Sequence, residues 1–205
     1  MKKNLFSLLF LLAVTTSFAQ VTFKSGLRFG ANFAEVTNLE SVDTKTSFYA
    51  GLFGEIKFTE FYALQPEIGY SSQGGKSLYS SREDIDLNYV TVALANKFFI
   101  AKGTGLHLIV GPSIDVNVDY NWVNILNDDV EYDITPIDIC ILGGIGYEFP
   151  FGLTVEARIK QGLIDLDLFN DYDNYNHEDE TYYYDDENQL NKVFQLGLIY
   201  KFKFR

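Results

Sequence analysis

The sequence predicts an all-β fold, an eight-stranded antiparallel up-and-down barrel that crosses a membrane, and three observations carry the prediction. Eight segments alternate apolar and polar residues with period two, the signature of strands with two unlike faces. The connections between them alternate short and long. The polar faces mix ions of both signs with glycine.

The first segment sets Phe23, Leu27, Phe29, Ala31 and Phe33 against Lys24, Gly26, Arg28, Gly30 and Asn32. The second runs Phe48, Ala50, Leu52, Gly54, Ile56 and Phe58 against Tyr49, Gly51, Phe53, Glu55 and Lys57. In the third, Leu64, Pro66, Ile68 and Tyr70 oppose Gln65, Glu67, Gly69 and Ser71. The fourth sets Val90, Val92, Leu94 and Phe98 against Thr91, Ala93, Ala95 and Lys97, and Asn96 interrupts its apolar face. The fifth is the most regular: Leu106, Leu108, Val110, Pro112, Ile114, Val116 and Val118 alternate with His107, Ile109, Gly111, Ser113, Asp115, Asn117 and Asp119. Ile137 to Phe149 forms the sixth, with Asp138, Cys140, Leu142, Gly144, Gly146 and Glu148 on its second face. The seventh sets Leu153, Val155, Ala157, Ile159 and Leu163 against Thr154, Glu156, Arg158, Lys160 and Gly162. The eighth, at the end of the chain, alternates Phe194, Leu196, Leu198, Tyr200, Phe202 and Phe204 with Gln195, Gly197, Ile199, Lys201 and Lys203.

Tight turns are expected at Thr59-Glu60, at 102–105 and at 150–152. Between them lie longer polar links at about 37–46, 72–86, 120–135 and 167–190. Strict alternation of short and long puts all the short turns at one end of the barrel, with both termini, and all the long loops at the other. In an envelope barrel these are periplasmic turns and four extracellular loops.

Which face is inside follows from the glycines. Nine of the 16 glycines share the polar faces. Glycine weakens a strand and offers bulk water nothing, but it makes room where side chains crowd a narrow interior. The polar faces therefore point inward and the apolar faces meet lipid. Strands of about 9 to 11 residues then cross the hydrocarbon, and closure pairs every backbone group where no water is available. Phe58, Tyr70, Phe98, Tyr147, Phe149, Phe202 and Phe204 fall near the ends of the apolar faces, where interfacial girdles belong. The competing arrangement is a soluble, lipocalin-like periplasmic binding barrel with the apolar faces inward. It leaves the glycines and the aromatic ends without a reason.

Lys2 and Lys3, the apolar run from Leu5 to Val14 and the small residues Ser17 and Ala19 read as a secretory signal over 1–19, with a barrel domain over 20–205. Removing Lys2 and Lys3 from the 16 bases leaves about 14 against 28 acids, which excludes nucleic acid as a partner. A single cysteine, Cys140, gives no internal disulfide, so packing and hydrogen bonds hold the fold.

The segments EIGYSSQGGK, LNYVTVALANKFF, LGGIGYEF, LTVEARIKQGL and VFQLGLIYKF, in that order and spacing, resemble the PorT-like family of small outer-membrane β-barrel proteins. The resemblance spans nearly all of residues 20–205. It implies a barrel fold and residence in the bacterial outer membrane, with lipid and lipopolysaccharide around it.

An eight-stranded barrel is just wide enough for side chains to fill. Arg28, Lys57, Lys97, Arg158, Lys160 and Lys201 are expected to pair inside it with Glu55, Glu67, Asp115, Asp138, Glu148 and Glu156, leaving no open channel. The loop from Asn170 to Asn188 holds eight acids, five tyrosines, one histidine and no base. Asp171, Asp173, Glu178, Asp179, Glu180, Asp185, Asp186 and Glu187 offer hard oxygen ligands suited to weak binding of Ca²⁺ or Mg²⁺. No calcium-loop spacing is present, so the expected state is a solvated acidic segment that holds cations diffusely, without a defined metal centre. Its tyrosines suit contact with a surface protein or a glycan.

No cofactor is expected, and catalysis has little basis. His107 sits on an inward face as a hydrogen-bonding residue and His177 lies in the acidic loop. No G-x-S-x-G motif is present. Cys140 reads as a packed thiol. The sequence thus predicts a non-enzymatic, monomeric outer-membrane protein of structural or interaction type. A membrane-embedded lipid-modifying enzyme and a narrow channel are the alternatives.

Overall fold

The computed structural model describes residues 21–38, 42–78, 84–118, 136–166 and 188–202. They form eight strands: β1 (Thr22–Val36), β2 (Val42–Lys57), β3 (Tyr62–Ser77), β4 (Ile85–Phe99), β5 (Leu106–Asn117), β6 (Ile137–Glu148), β7 (Leu153–Gly162) and β8 (Asn191–Lys201). Each pairs antiparallel with its sequence neighbours, and β1 closes on β8 from Gly26↔Lys201 to Val36↔Asn191, so the sheet is a closed barrel without free edges.

The apolar rows face outward. Leu108, Ile141 and Ile159 are about half exposed (49%, 52% and 52%), whereas Lys97, His107 and Asp115 are fully buried (0%). That is the inverse of a soluble core and the orientation that a hydrocarbon surround demands.

Aromatic rings gather at both rims. Phe58 and Tyr62 stack, with Tyr62 against Phe98, at the short-turn end. Tyr147, Phe149 and Phe151 make a second run there. Phe33 with Phe194 and Phe48 with Tyr70 mark the opposite rim. Asn96, the polar residue on the apolar face of β4, is satisfied locally. It accepts from the Tyr62 hydroxyl at 2.9 Å and donates to the Val110 carbonyl at 3.2 Å.

Local chemistry closes the short turns. Thr59 Oγ1 accepts from the backbone N–H of Phe61 and Tyr62 between β2 and β3. Gly105 and Gly152 adopt φ of 72° and 97° in the next two turns, a left-handed conformation that residues with a Cβ resist.

Two spans read as links are partly strand. β2 starts at Val42, β3 continues to Ser77 and β4 starts at Ile85, so the first two long-end connections are only 37–41 and 78–84. Here both strand faces are polar, as in Asp43-Thr44-Lys45-Thr46 and Ser72-Gln73, and the alternation that marks a strand in lipid disappears; β3 keeps its ladder with β4, whereas the β2–β3 register shifts between Thr44 and Tyr49. β1 to β4 are 15 or 16 residues long against 10 to 12 for β5 to β8. Among the described residues there is no helix long and apolar enough to cross a membrane; the crossings are made by strands. The expected signal segment 1–19 lies outside the described residues.

Candidate functional site

The inward residues of the strands converge on the barrel axis, and the glycines among them explain how so many large side chains fit. A Cβ on Gly146 would lie 2.5 Å from His107 Nε2 and 2.9 Å from Glu156 Cγ, and one on Gly144 would lie 2.9 Å from Arg158 Cγ. Gly30 and Gly197 are cross-strand partners, and Tyr49, paired with Gly30 on its other side, reaches over so that its hydroxyl meets Gly197.

At the centre of the short-turn half is one connected ionic layer. Arg158 donates from Nη1 and Nη2 to the two carboxylate oxygens of Glu67, each at 2.9 Å, and from Nε to Glu156 Oε2 at 2.8 Å. Arg28 Nη1 engages Glu67 Oε2, and the Gln65 amide donates to Glu67 Oε1 at 2.7 Å. Glu156 Oε1 faces Lys97 Nζ at 2.8 Å and His107 Nε2 at 3.5 Å. Lys97 stands 3.6 Å from Glu55, and Lys201 donates to Glu55 and Glu148 at 2.6 and 2.7 Å. Every strand contributes: Arg28 from β1, Glu55 from β2, Glu67 from β3, Lys97 from β4, His107 from β5, Glu148 from β6, Glu156 and Arg158 from β7, and Lys201 from β8. Four cations, Arg28, Lys97, Arg158 and Lys201, meet four carboxylates, Glu55, Glu67, Glu148 and Glu156, so these ions balance. Opening one partner of such a buried pair strands a charge, at a cost of about 3–5 kcal/mol.

Toward the long-loop end the chemistry becomes mostly neutral. Lys160 pairs with Asp115, which also accepts from the Gln73 amide at 3.0 Å. Asn191 donates to Gln73, Gln73 to Ser71 at 2.9 Å, Asn32 to Ser71 at 2.9 Å, and Gln195 to Asn32 at 2.9 Å. Above this, Val36, Leu87, Tyr89 and Leu166 pack into a small apolar cluster across the mouth. Leu166, just beyond β7, is anchored by its N–H to the Gln189 carbonyl at 2.9 Å.

Ten of the 12 ionic residues singled out from the sequence are thus in ion pairs. Lys57 and Asp138 have none among the described residues. Lys57 is half-buried with Nζ 4.0 Å over the Phe99 ring, and buried Asp138 accepts from the Ile164 N–H at 3.4 Å. The interior amides Asn32, Gln65, Gln73, Asn191 and Gln195 and the participation of His107 were not singled out as a network. Their signal was the parity they share with the ions. The acidic residues Asp171, Asp173, Glu178, Asp179, Glu180, Asp185, Asp186 and Glu187, and His177 with them, lie outside the described residues. His107 is fully buried, with Nδ1 2.9 Å from the Gly105 carbonyl and Nε2 facing Glu156. Cys140 is a buried free thiol.

A closed antiparallel barrel with apolar residues outside and ions sealed inside defines a transmembrane β-barrel protein. Residues 14–168, more than half of the chain, match the family described as outer membrane protein beta-barrel domain, and the chain belongs to that family. Its location is accordingly the bacterial outer membrane. No match was found among curated proteins. Among solved structures, the chain is similar to Neisserial surface protein A (NspA), at 12% identity and a TM-score of 0.49, covering 89% of this chain and 99% of that one. It is similar to Ail, the attachment invasion locus protein of Yersinia pestis, in complex with the heparin analogue sucrose octasulfate, at 11% identity and a TM-score of 0.48, covering 90% and 100%. The N-terminal β-barrel domain of Pseudomonas aeruginosa OprF is similar at 12% identity and a TM-score of 0.43, covering 88% and 100%.

Proposed function

We propose that this protein is a structural or interaction component of the outer membrane. The barrel is a rigid anchor in lipid and lipopolysaccharide that presents its acidic, tyrosine-rich loops for binding a surface protein or glycan or for maintaining the envelope. It acts as neither a pore nor an enzyme. The observation that carries this reading is the ionic layer to which all eight strands contribute, because a lumen crossed by mutually paired side chains has no bore for solute and leaves specificity to the loops.

Closure of β1 on β8 removes the sheet edge through which barrels could pair, which supports a monomer. The motif order shared with PorT-like proteins supports membership of that narrower group. The acidic loop serves here as a solvated surface segment with diffusely held cations. The burial of His107 between a carbonyl and Glu156 argues against the hydrolytic alternative, which needs an accessible base.

Planar-bilayer recording of the refolded full chain tests the reading. Current at the level of the empty bilayer is expected. A stable, ion-selective open level would overturn the anchor in favour of a channel.

A further inference from the structure

Between the ionic layer and the amide cluster lies an interior cavity of about 30 Å³. It exists because Gly51 and Gly69, cross-strand partners on β2 and β3, project nothing inward. Three cationic side chains, Arg28, Arg158 and Lys160, border it, against one carboxylate, Glu67. Both guanidiniums already draw on that carboxylate: Arg158 through two nitrogens and Arg28 through Nη1.

The Arg28 guanidinium also lies against the Tyr49 ring, with Cζ 4.8 Å from its centroid. Its Nε and Nη2, both buried, have no hydrogen-bond partner, and the same holds for the hydroxyls of Thr91 and Ser113, which also border the cavity. The Nε/Nη2 edge is the side-on fork with which arginine grips anions in a fixed plane. Unsatisfied donors in a water-poor interior are costly, and here two N–H groups and two O–H groups surround one small space.

We propose that this cavity is a site for a single monatomic anion, a halide, gripped by the Arg28 fork and by the hydroxyls of Thr91 and Ser113. Size selects the class. The space of about 30 Å³ has room for one or two water-sized particles, which matches a halide. Donor chemistry selects the sign, because the ions around the space already balance and Arg28 Nε and Nη2 can only donate. The anion accepts from the free edge of Arg28 and ties β1 to β4 and β5 as a structural ion.

Crystals of the refolded full chain grown with sodium bromide in place of chloride, measured at the bromine absorption edge, test the assignment. An anomalous peak within hydrogen-bonding reach of Arg28 Nε and Nη2 is expected; a cavity without anomalous signal, holding water alone, would overturn it. In solution, the urea unfolding midpoint should be higher in bromide than in methanesulfonate at equal ionic strength, and the difference should vanish in Arg28→Lys, which keeps the charge and removes the fork. Equal midpoints for the unmodified chain, or an undiminished difference in Arg28→Lys, would sink the site. If Arg28→Lys fails to fold, Thr91→Val combined with Ser113→Ala takes its place. The bromide-dependent difference should then shrink, and its full retention would count against the proposal.

Discussion

Arg158 holds Glu67 through both terminal guanidinium nitrogens at 2.9 Å, across 91 positions of sequence, and Arg28 takes hold of the same carboxylate from β1. One glutamate thus terminates two buried arginines. Glu67→Ala strands Arg28, leaves Arg158 with Glu156 alone, and should lower stability by about 3–5 kcal/mol, read as a drop in the urea midpoint of the refolded barrel. Lys102→Ala, which breaks the exposed pair with Glu60 at a turn, should cost less than about 1 kcal/mol. Equal effects would mean that the interior layer is solvated.

Gly197 is the bed on which the Tyr49 ring ends. Gly197→Val should therefore cost about 1–3 kcal/mol through overpacking. Much of the loss should be recovered when Tyr49→Ala is added, and a double-mutant cycle measures that coupling. Strict additivity of the two changes would contradict the close approach.

Asn96 and Tyr62 satisfy each other on the lipid face near the short-turn rim. Asn96→Leu alone leaves the Tyr62 hydroxyl without its acceptor and should destabilise by about 1 kcal/mol, whereas Asn96→Leu with Tyr62→Phe should be close to neutral. Thermal unfolding of the three variants in detergent micelles checks the order.

Calorimetric titration of the full chain with Ca²⁺ should give heats no larger than dilution into buffer, as diffuse association of cations with the 170–188 segment implies. A saturable isotherm with a defined stoichiometry would instead establish a coordinated site among Asp171, Asp173, Glu178 and their neighbours.

Heat-modifiable gel mobility gives a direct check on closure. The unboiled protein should run ahead of the boiled chain of 23.3 kDa, and the difference should disappear in Glu67→Ala at lower temperatures than in the unmodified chain.

Much of the barrel could be read from period two alone, because lipid on one side and packed ions on the other force unlike faces on every crossing strand. The reading failed where that contrast vanishes. Asp43 to Thr46 and Ser72 to Gln73 lie in strand segments whose two faces are both polar, so their chemistry resembles that of a loop although each still pairs with a neighbouring strand. Parity also gives the inward set without its pairings. That Glu67 meets Arg158, and that Lys57 meets a ring instead of a carboxylate, depends on how the closed sheet is staggered around its axis, which no single strand encodes. Leu166 joins the mouth cluster from outside any strand, so no alternation announced it.

The extra residues of strand in β1 to β4 raise one flank of the exterior rim. On that side an approaching macromolecule meets strand ends joined by the Lys45 Nζ to Ile85 carbonyl bond, beyond a shift in the β2–β3 register between Thr44 and Tyr49. A probe or epitope grafted near Lys76, which pairs with Asp43, would therefore sit on strand instead of on a connecting loop, which makes this flank a mounting point for display.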